Sequence, residues 1–235
     1  LRLVCRGHWM WGLVSRCGSQ HTAGMLGLRR GIGRGTCVPC PMRSAIGWPV
    51  LLRCRRHNQP MDDIVKQALV KWPHVPDCYG WLGLDARGRW FMRDAAVQAA
   101  GDFAHSRGSW LQHGKLIEFI ERNYECDAQG QWFFQNGPQR VYVELEAAPW
   151  VWRVLPDYRL QSHTGGLADA QDCCVDEQGR LYVASAIGLG VVHTQDMIHA
   201  AEAVEQGLWV PREVRSTELQ QEFRFVLSPA ARAMQ

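Results

Sequence analysis

The sequence predicts an α+β fold in a single domain, with an antiparallel sheet built from β-hairpins and three or four helices packed against it. Three observations carry that expectation. Asp-x-x-Gly followed by strand-forming residues occurs as Asp85-Ala86-Arg87-Gly88-Arg89-Trp90-Phe91, Asp127-Ala128-Gln129-Gly130-Gln131-Trp132-Phe133 and Asp176-Glu177-Gln178-Gly179-Arg180-Leu181-Tyr182. Asp bonds its own backbone two residues on and Gly takes a positive φ, so each copy reads as a hairpin turn. Val141, Val143 and Leu145 alternate with Arg140, Tyr142, Glu144 and Glu146, which sends one face to a core and the other to water. Stretches of helical spacing supply the remaining layer.

In chain order, Met61 to Lys71 is the first helix, with Ile64, Val65, Ala68, Leu69 and Trp72 on one face, and Pro73 stops it. Tyr79 to Leu84 is a strand, turned at Asp85 to Gly88 and returned through Met92. Asp94 caps a helix over Ala95 to Ala104. Lys115 to Arg122 is a further helix, carrying Leu116, Phe119 and Ile120. Tyr124 to Glu146 holds three strands, the second and third joined at Asn136-Gly137. Pro149 to Leu155 and Cys173 to Ala184 add strands, followed by Ile187 to Val192. Thr194 caps a helix from Gln195 to Gln206, ended by Gly207, with Met197, Ile198, Ala201 and Val204 as its inner face. Phe223 to Leu227 reads as a late strand. The starts of the three Asp-x-x-Gly copies lie 42 and 49 residues apart; between helical segments, they are read as hairpin chemistry rather than as a propeller or other repeat.

Charge divides the 235 residues sharply. Residues 1–60 hold ten Arg and no Asp, Glu or Lys, which leaves 26 − 10 = 16 basic and 23 acidic residues, net −7, for 61–235. Five of nine cysteines lie in the same first sixty, and their irregular spacing argues for reduced thiols rather than a disulfide framework. Residues 1–60 are expected to lie outside the fold as an upstream stretch translated by mistake, with a transit peptide and a basic nucleic-acid-binding arm as the alternatives. Nucleic acid is a partner only if that arm is genuine. Cys37-Val38-Pro39-Cys40 lacks the second pair that a zinc site needs. No apolar run reaches the about eighteen residues of a membrane-spanning helix. The folded part is therefore 61–230, about 170 residues, enough to bury roughly 70% of its unfolded surface without metal or disulfide.

Candidate chemistry is sparse. His163, His193, Asp196 and His199 offer imidazole and carboxylate ligands for Zn²⁺ or Fe²⁺, with Asp196 and His199 three apart on a helix. The competing reading is a solvated helix start. The turn Asn136-Gly137-Pro138-Gln139-Arg140 puts Asn136, Gln139 and Arg140 at a hairpin tip where binding residues often lie. Trp150 and Trp152 share one strand face, and eight tryptophans in residues 61–235 are too many for one small sheet to bury, so an exposed aromatic patch for a partner or planar ligand is expected. Cys173-Cys174 should place one thiol inside and one outside. Gly188-x-Gly190 lacks the third Gly and the βαβ setting of a nucleotide site, and Ser162 and Ser185 lack a nucleophile elbow. The Asp-x-x-Gly turns lack the oxygen ligands of a Ca²⁺ loop.

The segments KWPHVPDCYGWLGLDARGRW, FIERNYECDAQGQWFFQNGPQRVYVELEAAPWVWR and GLGVVHTQDM resemble a proteobacterial conserved family of unknown function over about residues 61–210. That resemblance implies a start at Met61 and a bacterial cytoplasmic setting, and brings no catalytic residue or cofactor. The function expected is a non-enzymatic binding or interaction module, with a homodimer or protein partner. A metal-dependent enzyme using His193, Asp196 and His199 is the alternative.

Overall fold

The computed structural model describes residues 63–234 other than 73 and 74, and a strand pair β1 (Val4–Cys5) and β2 (His8–Trp9). The remaining residues up to 62, Cys37 and Cys40 among them, lie outside the described residues. The chain divides into two compact units, Leu1–Leu51 and Leu52–Gln235. The second unit holds every other strand and helix among the described residues.

Its strands and helices run α1 (Asp63–Lys71), β3 (Cys78–Leu84), β4 (Trp90–Met92), α2 (Ala95–Ala99), β5 (Ser109–Trp110), α3 (Gly114–Arg122), β6 (Tyr124–Cys126), β7 (Trp132–Asn136), β8 (Gln139–Leu145), β9 (Trp150–Val154), β10 (Leu160–Ser162), β11 (Leu167–Ala168), β12 (Asp172–Val175), β13 (Leu181–Ser185), β14 (Gly188–Val192), α4 (Met197–Glu205), β15 (Arg212–Glu213), α5 (Ser216–Glu222) and α6 (Pro229–Ala233). The α+β class holds. The single antiparallel sheet does not: there are two sheets, in the orders β5-β4-β3-β8-β7-β6 and β11-β10-β9-β14-β13-β12-β15, and both are mixed. β3 pairs parallel with β8, β9 with β14, and β12 with β15. Six α-helices among the described residues replace the three or four expected; the short α5 and α6 lack the long apolar periodicity that marks a helix in sequence.

The two sheets repeat one topology. Adding six to each strand number turns the first sheet's order into that of β11 through β12 in the second. In each, the first and last strands of a six-strand run pair in parallel at the centre, with hairpins on either side. The expectation that the recurring turn signals no repeat is thus corrected. The turns themselves are hairpins as read: Asp85, Asp127 and Asp176 each accept from the backbone N–H groups two and four residues on, at 2.8 to 2.9 Å. Gly88, Gly130 and Gly179 close them at φ 75°, 80° and 75°. A fourth turn, between β9 and β10, has the same backbone bonds, Leu155 N–H to Arg159 C=O and Tyr158 N–H to Leu155 C=O. There Leu155 stands where the other turns have Asp, and Tyr158 takes the positive φ of 61°.

Both faces of the first sheet are covered. Gly83 lies beside Glu144 in the ladder, and a Cβ at Gly83 would fall 2.2 Å from the Phe103 ring, so only glycine admits that ring. On the same strand as Glu144, Tyr142 is buried too, although both were expected in water. The cause is the C-terminal segment: Leu145 N–H bonds Leu227 C=O, Val226 N–H bonds Gly130 C=O, and the Glu144 carboxylate takes the Ser228 hydroxyl and the Ala230 N–H at the start of α6. Phe223 to Leu227, expected as a strand, is this strap, beginning where α5 ends. α2 stops at Ala99, short of the expected Ala104, as Gly101 turns away at φ 146°.

Candidate functional site

The seam between the two sheets is aromatic. Tyr124 lies between the sheets, its ring against Trp90 (5.5 Å), Trp132 (4.8 Å), Trp150 (5.6 Å) and His163 (5.7 Å), and its hydroxyl donates to Pro149 C=O. Trp150 and Trp152, expected to form a binding surface, are both 0% exposed. Their indole N–H groups donate to Ile187 C=O in the β13–β14 turn and Val183 C=O on β13, so side chains tie β9 across β14 to the strand beyond it. A second sheet supplies the burial that one sheet could not. Trp72 and Trp110 alone among the large aromatics of the described residues in 63–234 stand more than half exposed.

The four residues expected as metal ligands are placed on separate tasks. His163 accepts from Val151 N–H through Nδ1, with its ring against Trp90, Tyr124 and Trp150. His193 accepts from Gln195 N–H and caps the 3-10 turn Thr194–Asp196, the capping role expected of Thr194. Burial and the nearby Arg153 guanidinium push its imidazole below the ordinary range. Asp196, 6% exposed, is held by the Arg153 guanidinium and by Val154 N–H, and the Arg153 bond lowers its carboxyl. His199 pairs with Glu202 at the surface. Among the described residues no three His, Cys, Asp or Glu side chains converge as metal ligands, so the expected metal cluster is corrected. Three hydrogen bonds from Arg153 and Val154 already occupy most of the acceptor sites of the Asp196 carboxylate, and the guanidinium neutralises its charge.

Asn136 and Gln139 face each other across the β7–β8 hairpin, and Gln139 donates to Pro76 C=O. The exposed Arg140 guanidinium lies 4.8 Å from the Phe133 ring centroid, a cation–π contact that holds it flat on the sheet. These three are brought together; Trp150 and Trp152 lie in the other sheet. Cys173 and Cys174 are both buried, against the expectation of one outward thiol. Burial raises both, Cys174 to about 12, so neither is a nucleophile at neutral pH. Cys126, Cys173 and Cys174 are in no disulfide, the Cys126 thiol donating to Asp127 C=O, whereas Cys78 is disulfide-bonded, contrary to the expectation of reduced cysteines throughout.

Asp196 has a consequence that the sequence did not reveal. Residues 196, 200 and 203 share one helical face, and with Asp196 pinned inward, Ala200 and Ala203 are 0% exposed. The larger apolar residues are thereby turned out: Met197, Ile198 (72% exposed), Val204 and Leu208 (57%). The inner face expected for this helix is the reverse of the one it buries. Ala200 and Ala203 form the buried side of α4, and the larger residues outside are left exposed.

A groove of about 420 Å³ runs between the third turn and β15–α5, lined by Val175, Asp176, Glu177, Glu213, Val214, Arg215 and Glu218. Its carboxylates are partly spent on structure: Tyr182 and two backbone N–H groups hold Asp176, and Ser216 is bound by Glu177.

Glu121 on α3 is the most perturbed carboxyl. Burial drives it to about 7 from an ordinary 4.5, although the Trp90 indole N–H donates to it at 3.4 Å. Folded protein therefore binds more protons than unfolded protein between about pH 4.5 and 7, so stability falls as pH rises through that window. Glu121→Gln is expected to flatten this dependence and to stabilise the domain at pH 8 by about 1–2 kcal/mol, discounted for partial exposure. Urea unfolding at pH 5 and pH 8 checks it; an unchanged pH slope in the variant would refute the assignment.

Over residues 61–230 the chain matches the model of family DUF2944, described as "Protein of unknown function (DUF2946)". The chain belongs to this family. The resemblance read over residues 61–210 is borne out, and membership of the DUF2944 family extends it to 230. Two solved structures are similar. A DUF1285 family protein from Silicibacter pomeroyi DSS-3 is 12% identical, with 55% of this chain and 72% of that chain covered at a TM-score of 0.39. A DUF1285 family protein from Shewanella baltica OS155 is 16% identical, with 52% and 91% covered at a TM-score of 0.35. No curated protein matches the sequence. No helix among the described residues is long and apolar enough to cross a membrane.

Proposed function

We propose that this member of the DUF2944 family is a non-enzymatic interaction module that docks a protein on the outer face of α4. The observation that carries the reading is the outward stripe of Met197, Ile198 and Val204 on a helix whose inner face is alanine, continued by exposed Leu208 just beyond its C-terminus. A contiguous apolar face without a covering element is costly in water, and such faces mark interaction sites. The module spans residues 61–230, as the family match supports, with residues 1–60 outside it. Its setting is the bacterial cytoplasm, a reading supported by the reduced, buried Cys173 and Cys174 and opposed by the disulfide at Cys78.

The test is a photoreactive amino acid placed at Ile198 in the full chain and irradiated in cells, beside the same group at exposed Gln178 in the third turn. Adducts at 198 and none at 178 are the expected result. Equal labelling at both positions, or none at either, would sink the docking face.

A further inference from the structure

We infer that residues 224–233 form a latch that opens as one unit while the rest of the fold stays closed, hinged at Arg224 and fastened to the first sheet by Glu144. The inference goes beyond the docking face of α4 and does not depend on it. The latch carries the chain back from the second sheet to the first. Behind it, α5 is fixed beside the third turn, where Glu177 accepts from the Ser216 N–H and hydroxyl, and Leu219 is buried. Ahead of it, α6 packs against β3 and β8.

Arg224 is the hinge because of its backbone. Its φ of 52° is positive, as only Tyr158 shares among the described non-glycine residues. It ends α5 where glycine commonly stands, with Phe225 N–H bonded back to Gln220 C=O. An L side chain is strained in that conformation, and a swing about Arg224 releases the strain.

Past the hinge, Phe225 and Pro229 are buried, whereas residues 231–234 are exposed. The ties across to the first sheet are polar. Val226 N–H donates to Gly130 C=O, Leu145 N–H to Leu227 C=O, the Ser228 hydroxyl and Ala230 N–H to Glu144, and the Arg232 guanidinium to Gln129 C=O. A segment with so small an apolar anchor opens at a fraction of the free energy of global unfolding. The fastening residue itself favours release. Glu144 is 2% exposed, and burial raises its carboxyl, with Asp102 adding to the rise, although Ser228, Ala230 and the facing Arg93 guanidinium favour the charged form. Opening returns this carboxylate to water, which offsets part of the cost of the broken bonds. It also bares the carboxylate, the Leu145 N–H and the Gly130 C=O together.

Residue-resolved native-state hydrogen exchange of the full chain, over a range of urea below the unfolding transition, tests this. Leu145 is the decisive amide: it lies in a core strand, 5% exposed, yet its bond is to Leu227. The expected result is that Leu145, Val226 and Ala230 exchange together, at least about tenfold faster than Val141 and Val143 of the same strand and with weak dependence on urea. Ser228→Ala removes a bond to Glu144 and the cap of α6, and should speed all three about fivefold while leaving Val141 and Val143 unchanged. Arg224→Gly relaxes the closed hinge and should slow all three about threefold. Exchange of Leu145 in step with Val141 and Val143 overturns the latch, since the segment then opens only with the sheet. A Ser228→Ala variant that speeds Ala230 alone reduces the effect to fraying of α6, and an Arg224→Gly variant with unchanged rates removes the hinge; either result overturns the inference.

Discussion

Arg93→Met is expected to destabilise the folded unit by about 3–5 kcal/mol. Arg93 is 3% exposed on leaving β4, and its guanidinium donates to three carbonyls, Ser106 C=O at 3.0 Å, Gly80 C=O at 3.2 Å and Gly101 C=O at 2.6 Å. Those carbonyls belong to the loop after α2 and to β3, so one side chain ties both to the sheet. It also faces the buried Glu144 carboxylate, whose charge it offsets. Burial lowers the Arg93 guanidinium and raises the Glu144 carboxyl, the cost that a buried pair carries before its hydrogen bonds are counted. Removing one partner leaves the other charge, with the three carbonyls, inside and unmatched. Arg93→Lys should recover less than half, since one ammonium cannot span three divergent acceptors. Thermal unfolding should show the midpoint lowered by about 10 °C in Arg93→Met. A loss below about 1 kcal/mol would show that water replaces the guanidinium and that the tie is not needed.

Trp150→Ala is expected to cost about 3–5 kcal/mol by opening a cavity at the seam of the two sheets. The indole is fully buried, with Trp132 at 5.0 Å, Tyr124 at 5.6 Å, His163 at 5.6 Å and Trp152 stacked at 6.2 Å. Its removal also strands Ile187 C=O, which accepts the indole N–H. The complementary change, Gly190→Ala, keeps the indole and adds one methyl where there is no room: a Cβ there would lie 2.4 Å from Trp152 Nε1 and 2.7 Å from Trp150 Cβ. It should cost about 1–3 kcal/mol. Urea titrations of both variants, followed by tryptophan fluorescence, measure these losses. A Trp150→Ala variant as stable as the parent would mean that the two sheets are not held together through this cluster.

The local chemistry was legible in the sequence. Asp85, Asp127 and Asp176 make the turns that Asp and Gly at that spacing dictate, and the strand alternation at Val141, Val143 and Leu145 points into a core as read. Duplication was hidden because its fourth turn has Leu155 and Tyr158 where the pattern requires Asp and Gly. The backbone bonds of that turn match the other three, but no side chain announces them. The metal reading failed because spacing along a helix says which residues are neighbours and not what the neighbouring strand supplies. Arg153, 43 residues before Asp196 in the chain, took that carboxylate.

By itself the sequence determined the α+β class, the hairpin turns, family membership and the helix cap at Asp94. The turns and the cap depend on contacts within a few residues, where propensity and hydrogen-bond geometry act directly. Only the tertiary structure decided that there are two mixed sheets, that β8 is buried on both faces, and which way α4 is turned. The stripe through Met197, Ile198, Ala201 and Val204 is the more apolar in sequence, and hydrophobicity alone sends it inward. A long-range ion pair at Asp196 sets the opposite phase and leaves that stripe outside, because burying an anchored carboxylate beside close-packed alanines forbids the rotation that would bury the larger side chains.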